Sequence, residues 1–241
     1  MSSILNKKYI LLSIFLAQFF CAESIAVVSK VKGEVKYKKK IEKQLINQLK
    51  AGVDLHNNDL IRTGKNGFAK YVYLDDGTQI KIHNNSEVYI RGELDRRSII
   101  KQLKVDEGTV KLEVKKQTVD AFTVITPTSV ASVKGTSFWL DCSGKSGDKF
   151  YGESGIVNIQ NKESGQKTQL SKNKVASSLP DGTLDIRQMT ASELEMLEDF
   201  EQESGESNDS NDSDTESQVN EIKIELEDDS GNQKTIIIKI N

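Results

Sequence analysis

The sequence predicts an all-β protein: an antiparallel β-sandwich or roll, jelly-roll-like, followed by a short C-terminal helix and a terminal β-hairpin. Three observations predict it. Between Ser24 and Arg187 apolar and polar residues alternate at the strand period of two, and no segment of useful length carries the helix period. Glycine-bearing turns repeatedly launch alternating runs: Asp76-Gly77-Thr78, Glu107-Gly108-Thr109, Ser154-Gly155-Ile156 and Asp181-Gly182-Thr183. Their spacings of 31, 47 and 27 residues are too uneven for solenoid repeats and suit turned antiparallel strands. Only after Met189 does the period change.

The chain opens on a targeting signature, residues 1–24. Lys7 and Lys8 supply positive charge, and Ile10 to Phe20 is apolar apart from Ser13 and Gln18. Small residues at Ala22, Ser24 and Ala26 stand at the spacing of signal-peptidase sites. The apolar run has 11 residues, against roughly 20 for a bilayer span. A secretory signal follows, with a periplasmic or secreted destination and no stable transmembrane span. Lipidation at Cys21 is disfavoured, because Gln18-Phe19-Phe20 is bulky or polar where a lipobox wants leucine and small residues. With Cys21 removed, Cys142 stands alone and packs as a small apolar residue ending a strand.

Residues 25–188 form the β domain. Ile25 to Tyr37 alternates about Gly33, and Lys36 to Gln48 is a basic turn-like segment. Leu49 to Thr63 reads as two short strands about an Asn57-Asn58 turn. Phe68 to Leu74 and Thr78 to His83 make the clearest hairpin, turned by Asp75-Asp76-Gly77, with Ile80 and Ile82 inward and Lys81 and His83 outward. Val88 to Ile90 is a strand, Arg91 to Arg97 a charged turn and Ser98 to Val105 a strand. A turn at Asp106-Glu107-Gly108 leads into Thr109 to Val114, with Lys111 outward. Strands follow at Phe122 to Ile125, Ser137 to Asp141, Lys149 to Glu153, Ile156 to Gln160 and Thr183 to Arg187. Pro127 forces Thr126 into extended backbone and withholds a ladder hydrogen bond. Gly135 permits a bulge or a close backbone approach. The stretch 122–141 is read as the segment crossing between sheets.

The last 53 residues have a different character. Residues 189–203 form a short helix, capped by Thr190 or Ser192 with Glu193 and Glu195 near its start. Residues 204–218 are acidic, low in complexity and free of apolar side chains, the composition of a disordered linker. Residues 219–241 alternate about a turn at Asp228 to Asn232 and form a hairpin, marginal in water without a second layer.

Charge divides along the same line. From Glu23 to Gln188 there are 28 basic against 20 acidic residues, and from Met189 onward 3 against 16. The formal net charge of −3 hides this split. A basic body outside the cytoplasm favours an anionic cell-wall polymer or an acidic envelope protein as partner. The acidic tail is placed to fold back and mask that body. Candidate contact residues are Lys38, Lys39 and Lys40 in one basic turn and Arg91, Arg96 and Arg97 in the other. With 6% aromatics and a secretory signal, nucleic acid is not expected as a partner.

The body resembles the FecR-domain family of bacterial envelope proteins. The resemblance rests on Gly52, on Asp59 through Thr63 and Gly64, on Phe68 through Ile82 with Gly77, and on Gly108. Thr126-Pro127, Gly135-Thr136 with Phe138, and Gly155 complete it. It implies an all-β sandwich outside the cytoplasm. It implies a binding or scaffolding module or, alternatively, a sensor acting through a membrane partner. The anti-sigma segment and transmembrane helix of the family's sensors are not recognised in this sequence.

No catalytic residue, metal ligand or cofactor site is expected. A dyad of His83 with Asp75 or Asp76 can be drawn, but the turn already accounts for both aspartates. His56 and His83 show no ligand spacing. Asp209, Asp212 and Asp214 lack the glycine and terminal glutamate of a calcium loop.

Overall fold

The structure is a computed structural model describing residues 23–40, 42, 48–96, 98–117, 120–204, 220–227 and 233–240. The expected signal peptide through Ala22, Arg97 and the expected acidic linker from residue 205 onward lie outside these residues. The chain divides into two compact units, Met1–Glu206 and Ser207–Asn241.

Sixteen strands of the first unit form two layers. The first layer holds β1 (Ala26–Lys32), β3 (Asp54–Leu55), β5 (Phe68–Tyr73), β6 (Gln79–Ile82), the end of β8 (Ser98–Val114), β11 (Thr136–Cys142), β12 (Asp148–Ser154), β15 (Lys174–Ser178) and β16 (Leu184–Gln188). Its strand order is β3-β1-β5-β6-β8-β11-β12-β15-β16. The second layer holds β2 (Val35–Lys38), β4 (Asp59–Thr63), β7 (Glu87–Asp95), the start of β8, β9 (Phe122–Ile125), β10 (Ser129–Val133), β13 (Val157–Asn161) and β14 (Lys167–Leu170). Its order is β2-β4-β7-β8-β9-β10-β13-β14.

The inward side chains of the two layers make one core. Tyr71, Tyr73, Ile80, Ile82, Leu112, Phe138, Leu140 and Phe150 from the first layer meet Ile61, Val88, Ile90, Leu103, Phe122, Val124 and Ile159 from the second. The rings of Tyr73 and Phe122 touch edge to face across the gap, with centroids 5.8 Å apart. This alternation of inward apolar residues is what the period of two dictates.

β8 differs from the sequence expectation of two strands about a turn. It is one strand of 17 residues. Ser98 to Glu107 pairs with β7 in the second layer, and Gly108 to Val114 pairs with β11 in the first. Gly108, at φ 101°, lets the strand bend from one layer to the other without breaking. A β-carbon there would lie 2.1 Å from Ser86 Oγ. The chain then returns along the other half of β8 in the same direction, so β8 and β9 are parallel rather than antiparallel.

Other differences are local. Arg91 to Asp95 continues β7, so the charged turn shrinks to the β7–β8 tip, where Arg96 takes φ 58°. Ser129 to Val133 is a strand, β10, that small and polar residues conceal in the sequence. The stretch 122–141 lies in both layers: β9 and β10 in the second, β11 in the first, with Gly135 at φ 143° between them. β14 and β15 were also not expected.

The only α-helix among the described residues is α1 (Ala191–Ser204). Thr190 and Glu193 cap it reciprocally: Thr190 N donates to Glu193 Oε2 at 2.9 Å, and Glu193 N to Thr190 Oγ1 at 3.3 Å. Arg187 clamps the same carboxylate from β16 at 2.8 and 2.7 Å. In the second unit β17 (Asn220–Glu227) and β18 (Gln233–Ile240) pair antiparallel.

Gly108→Ala is expected to cost the full chain about 2–4 kcal/mol, since both φ and Ser86 oppose a β-carbon. Urea unfolding measures it. A loss below about 1 kcal/mol would show that Ser86 yields and that the bend does not need glycine.

Candidate functional site

The outer faces of the two layers are the surfaces available for contact, and they are built differently. Strand alternation sends Lys81 and His83 outward from β6 and its end, Lys111 outward from β8, Trp139 from β11 and Tyr151 from β12. The sequence reading turns Lys81, His83 and Lys111 outward. The structure buries them, because α1 lies across this face.

The apolar contact is a small cluster separate from the main core. Trp139, Tyr151 and Val175 are buried, and Met189, Met196, Leu197 and Phe200 pack on them. His83 sits in the middle. Its ring lies 5.1 Å from Trp139, 5.3 Å from Phe68 and 5.3 Å from Phe200, centroid to centroid. Its Nε2 has no hydrogen-bond partner. Burial pushes the imidazole down to about 4, with Lys81 and Lys111 acting the same way and Glu201 opposing.

Ion pairs surround this cluster. Glu201 of α1 reaches Lys81 Nζ at 2.5 Å and Lys111 Nζ at 2.8 Å. The two lysine side chains are only 3% and 6% exposed. Lys81 also meets Glu113 at 3.0 Å and Lys111 meets Glu153 at 3.1 Å. Lys111 Nζ stands 5.3 Å above the Trp139 ring. Burial acts to raise the Glu201 carboxyl, but hydrogen bonds from Lys111 and Lys81 overcome it and hold the group below its usual range. At the helix C-terminus Lys30 Nζ donates to Ser204 O at 2.8 Å, and Lys32 Nζ to Glu203 O and Ser204 O at 3.2 and 3.0 Å. Cations thus meet the carbonyl end of the helix dipole.

Among the described residues no helix covers the outer face of the second layer. Register places Arg91, Gln102, Thr123, Ser132, Asn158 and Gln169 in one row across six strands. A neighbouring row runs Lys38, Leu60, Tyr89, Lys104, Ile125, Val130, Gln160 and Lys167. A shallow groove of about 630 Å³ lies between Val130, Ser132, Asn158, Gln160, Lys167 and Gln169. Arg91 donates to Gln102 Oε1 at 3.0 Å, while its Nε is buried without a partner. Lys104 lies over the Tyr89 ring at 4.7 Å and pairs with Asp106.

Of the candidate contact residues, the structure brings Lys38 and Arg91 onto this one face. Lys39 and Lys40 lie in the turn after β2, where Lys40 N donates to the buried Asp59 carboxylate at 3.1 Å. Arg96 is apart from them at the exposed β7–β8 tip.

The other marked positions serve the backbone. Asp59 also accepts from His56 N at 2.9 Å. Thr63 Oγ1 donates to His83 O and accepts from Ser86 N. Gly64 N donates to Glu34 O. Gly52, Gly77 and Gly155 take positive φ in turns. Thr126 and Thr128, flanking Pro127, donate their hydroxyls to the buried Asp148 carboxylate, and Cys142 Sγ lies 3.0 Å from the same group. Thr136 Oγ1 donates to Ile156 O at 3.0 Å, and Phe138 is fully buried. Burial, reinforced by the Asp148 charge, pushes the Cys142 thiol well up, so this cysteine is held as the unreactive thiol.

The drawn dyad of His83 with Asp75 or Asp76 is not assembled. Asp75 and Asp76 sit at the turn end of the β5–β6 hairpin and hold the buried Lys101 at 2.6 and 3.0 Å. His83 lies past the other end of β6. It is also not the solvated residue that its sequence neighbours suggest.

These elements define a two-layer, strand-built domain with one outer face roofed by a helix and the other open. Residues 59–150, from β4 into β12, match the family model described as FecR protein. Two crystal structures of a Parabacteroides distasonis protein provisionally called an anti-sigma factor are similar. Each has a TM-score of 0.47 at 18% identity. The alignments cover 56% of this chain and 62% of that chain in one case, and 61% and 75% in the other. No curated protein matches. No helix among the described residues is long and apolar enough to cross a membrane.

The depressed His83 value sets a pH dependence. The unfolded imidazole titrates near 6.5 and the folded one near 4, so its contribution is whole above the first value and is lost as pH falls towards the second. Glu201, also depressed, adds a loss below its own unfolded range. Between about pH 7.5 and about pH 4.5 the full chain is expected to lose about 2.5 kcal/mol through His83. His83→Phe should flatten that part of the urea-unfolding profile; coincident profiles for the two proteins would assign the loss elsewhere.

Proposed function

We propose that this protein is an extracytoplasmic, non-catalytic FecR-type module that binds or scaffolds other components of a bacterial envelope. The open outer face of the second layer carries the reading. It presents Lys36, Lys38, Arg62, Arg91, Lys104 and Lys167 on one sheet surface. Three of these are matched by neighbouring acids, Lys36 by Glu34, Arg62 by Glu87 and Lys104 by Asp106, so the charge offered to a partner comes chiefly from Lys38, Arg91 and Lys167. Such a face favours an anionic wall polymer or an acidic envelope protein. The groups from which a reaction would be built support binding over catalysis, since His83, Cys142, Asp75 and Asp76 are all committed to packing or pairing. The N-terminal sequence and the FecR match support the compartment.

A second reading, a sensor acting through a membrane partner, is favoured by a different observation. The other face is covered by a helix whose Glu201 meets two buried lysines, Lys81 and Lys111.

Two measurements test the first reading. Fractionation with N-terminal sequencing should find the mature chain outside the cytoplasm, beginning between Ala22 and Val27; a cytoplasmic chain with its N-terminus intact overturns it. Arg91→Ala with Lys104→Ala should weaken cosedimentation with isolated envelopes at low salt by about tenfold or more, a loss of about 1.4 kcal/mol. Unchanged cosedimentation removes this face as the contact surface.

A further inference from the structure

The roof over the first layer is made of interactions that can be exchanged for equivalent ones. A helix of 14 residues is near the marginal length in water, so α1 depends on its docking. The apolar part of that docking is small and is not continuous with the main core. Its central ion pairs bring back little net energy, because dehydrating Lys81, Lys111 and Glu201 offsets most of their attraction. The face itself is demanding. Two lysines lie almost wholly inside it beside an indole and an imidazole, and two more, Lys30 and Lys32, wait at one end for helix carbonyls. What it fits is an acidic helix that sets an aromatic residue beside a glutamate, as Phe200-Glu201 does. Of the other acids of α1, Glu193 pairs with Arg187, and Glu195, Glu198, Asp199 and Glu203 are exposed, which makes the helix acidic on its outer side.

We propose that α1 is a displaceable cover, and that the outer face of the first layer receives an acidic amphipathic helix of a partner protein in its place. This deepens the signalling form of the functional reading and rests on it. The tether gives α1 an effective concentration on the order of millimolar. A partner helix of similar intrinsic affinity therefore binds weakly until it reaches comparable local concentration, for instance beside a membrane protein. Displacement exposes Trp139, the single tryptophan of the chain, so opening carries its own optical signal.

Hydrogen exchange on the full chain is the first test. The amides of α1 should exchange at least a hundredfold faster than those of β11, reporting opening of the roof without unfolding of the sandwich. The second test uses a labelled peptide with the sequence of residues 189–204. Phe200→Ala with Glu201→Gln in the full chain should bind it at least tenfold more tightly than the unmodified protein does. Binding should red-shift no further, and partly reverse, the exposed Trp139 emission of that variant. Adding Lys81→Gln and Lys111→Gln should abolish the binding. Equal exchange rates in α1 and β11 overturn the proposal, whether or not the variants fold. So does an opened variant that ignores the peptide, or one that binds it independently of the two lysines. Envelope cosedimentation through Arg91 and Lys104 reads the other face, so a closed roof with normal cosedimentation overturns this inference alone.

Discussion

Strand β8 is a member of both layers, and the packing of everything else follows from that. A sandwich of two independent sheets has a free choice of how far and at what angle the sheets sit. Here the choice is removed, because one continuous ladder bends through Gly108 from the second layer into the first. Leu103 and Val105 before the bend and Val110 and Leu112 after it point into the same core from opposite sides. Ser86 seals the bend, with its hydroxyl donating to Asn84 O and Thr109 O and accepting from Thr109 N. A side chain at position 108 would displace that serine. A later crossing, at Gly135, carries the chain from β10 back to β11, which lies beside the end of β8. The other crossings between layers are made by turns, and β8 alone makes one without leaving the strand.

This dependence explains what could be read from the sequence. The β5–β6 hairpin was legible because Asp75-Asp76-Gly77 is a turn in its own right, with Asp76 accepting from Thr78 N at 2.8 Å. The helix was legible because Thr190 and Glu193 are local partners. β8 was not, because Asp106-Glu107-Gly108 has the composition of a turn and only the tertiary contact with Ser86 reveals a bent strand. β10 was not, because Ser129, Ala131 and Ser132 give little apolar contrast, and its pairing with β9 and β13 is what makes it a strand.

The roofed face was the larger omission. Lys81, His83 and Lys111 occupy outward positions in alternating strands, and outward normally means solvated. They are buried by a helix that begins eighty residues or more further along the chain, and no local pattern contains that information. One signal was present. Trp139 lies on the same outward register as Lys81 and Lys111, since Lys111 is paired with both. A tryptophan in the outer row of an otherwise charged sheet surface asks for a cover. The helix supplies it, with Met196, Leu197 and Phe200 packed on Trp139, Tyr151 and Val175.

The charge split takes on a definite form once the roof is placed. The sequence invited the view that the acidic residues from Met189 onward mask a basic body. The structure docks one acidic part of that tail, α1, on the first layer rather than on the basic turns at Lys38 to Lys40 or Arg96. The two faces therefore have unequal electrostatic histories. On the first layer the lysines are buried and neutralised by the protein's own helix. On the second layer Lys104 is paired with Asp106, while Arg91 bonds the neutral Gln102. A partner that seeks positive charge at long range is steered to the second layer, where less of the charge is buried. The first layer becomes attractive only at short range and only when α1 leaves, because Lys81 and Lys111 then lose Glu201 while Glu113 and Glu153 stay beside them. Steering and gating can thus be separated on one small sandwich, on opposite sides of its core.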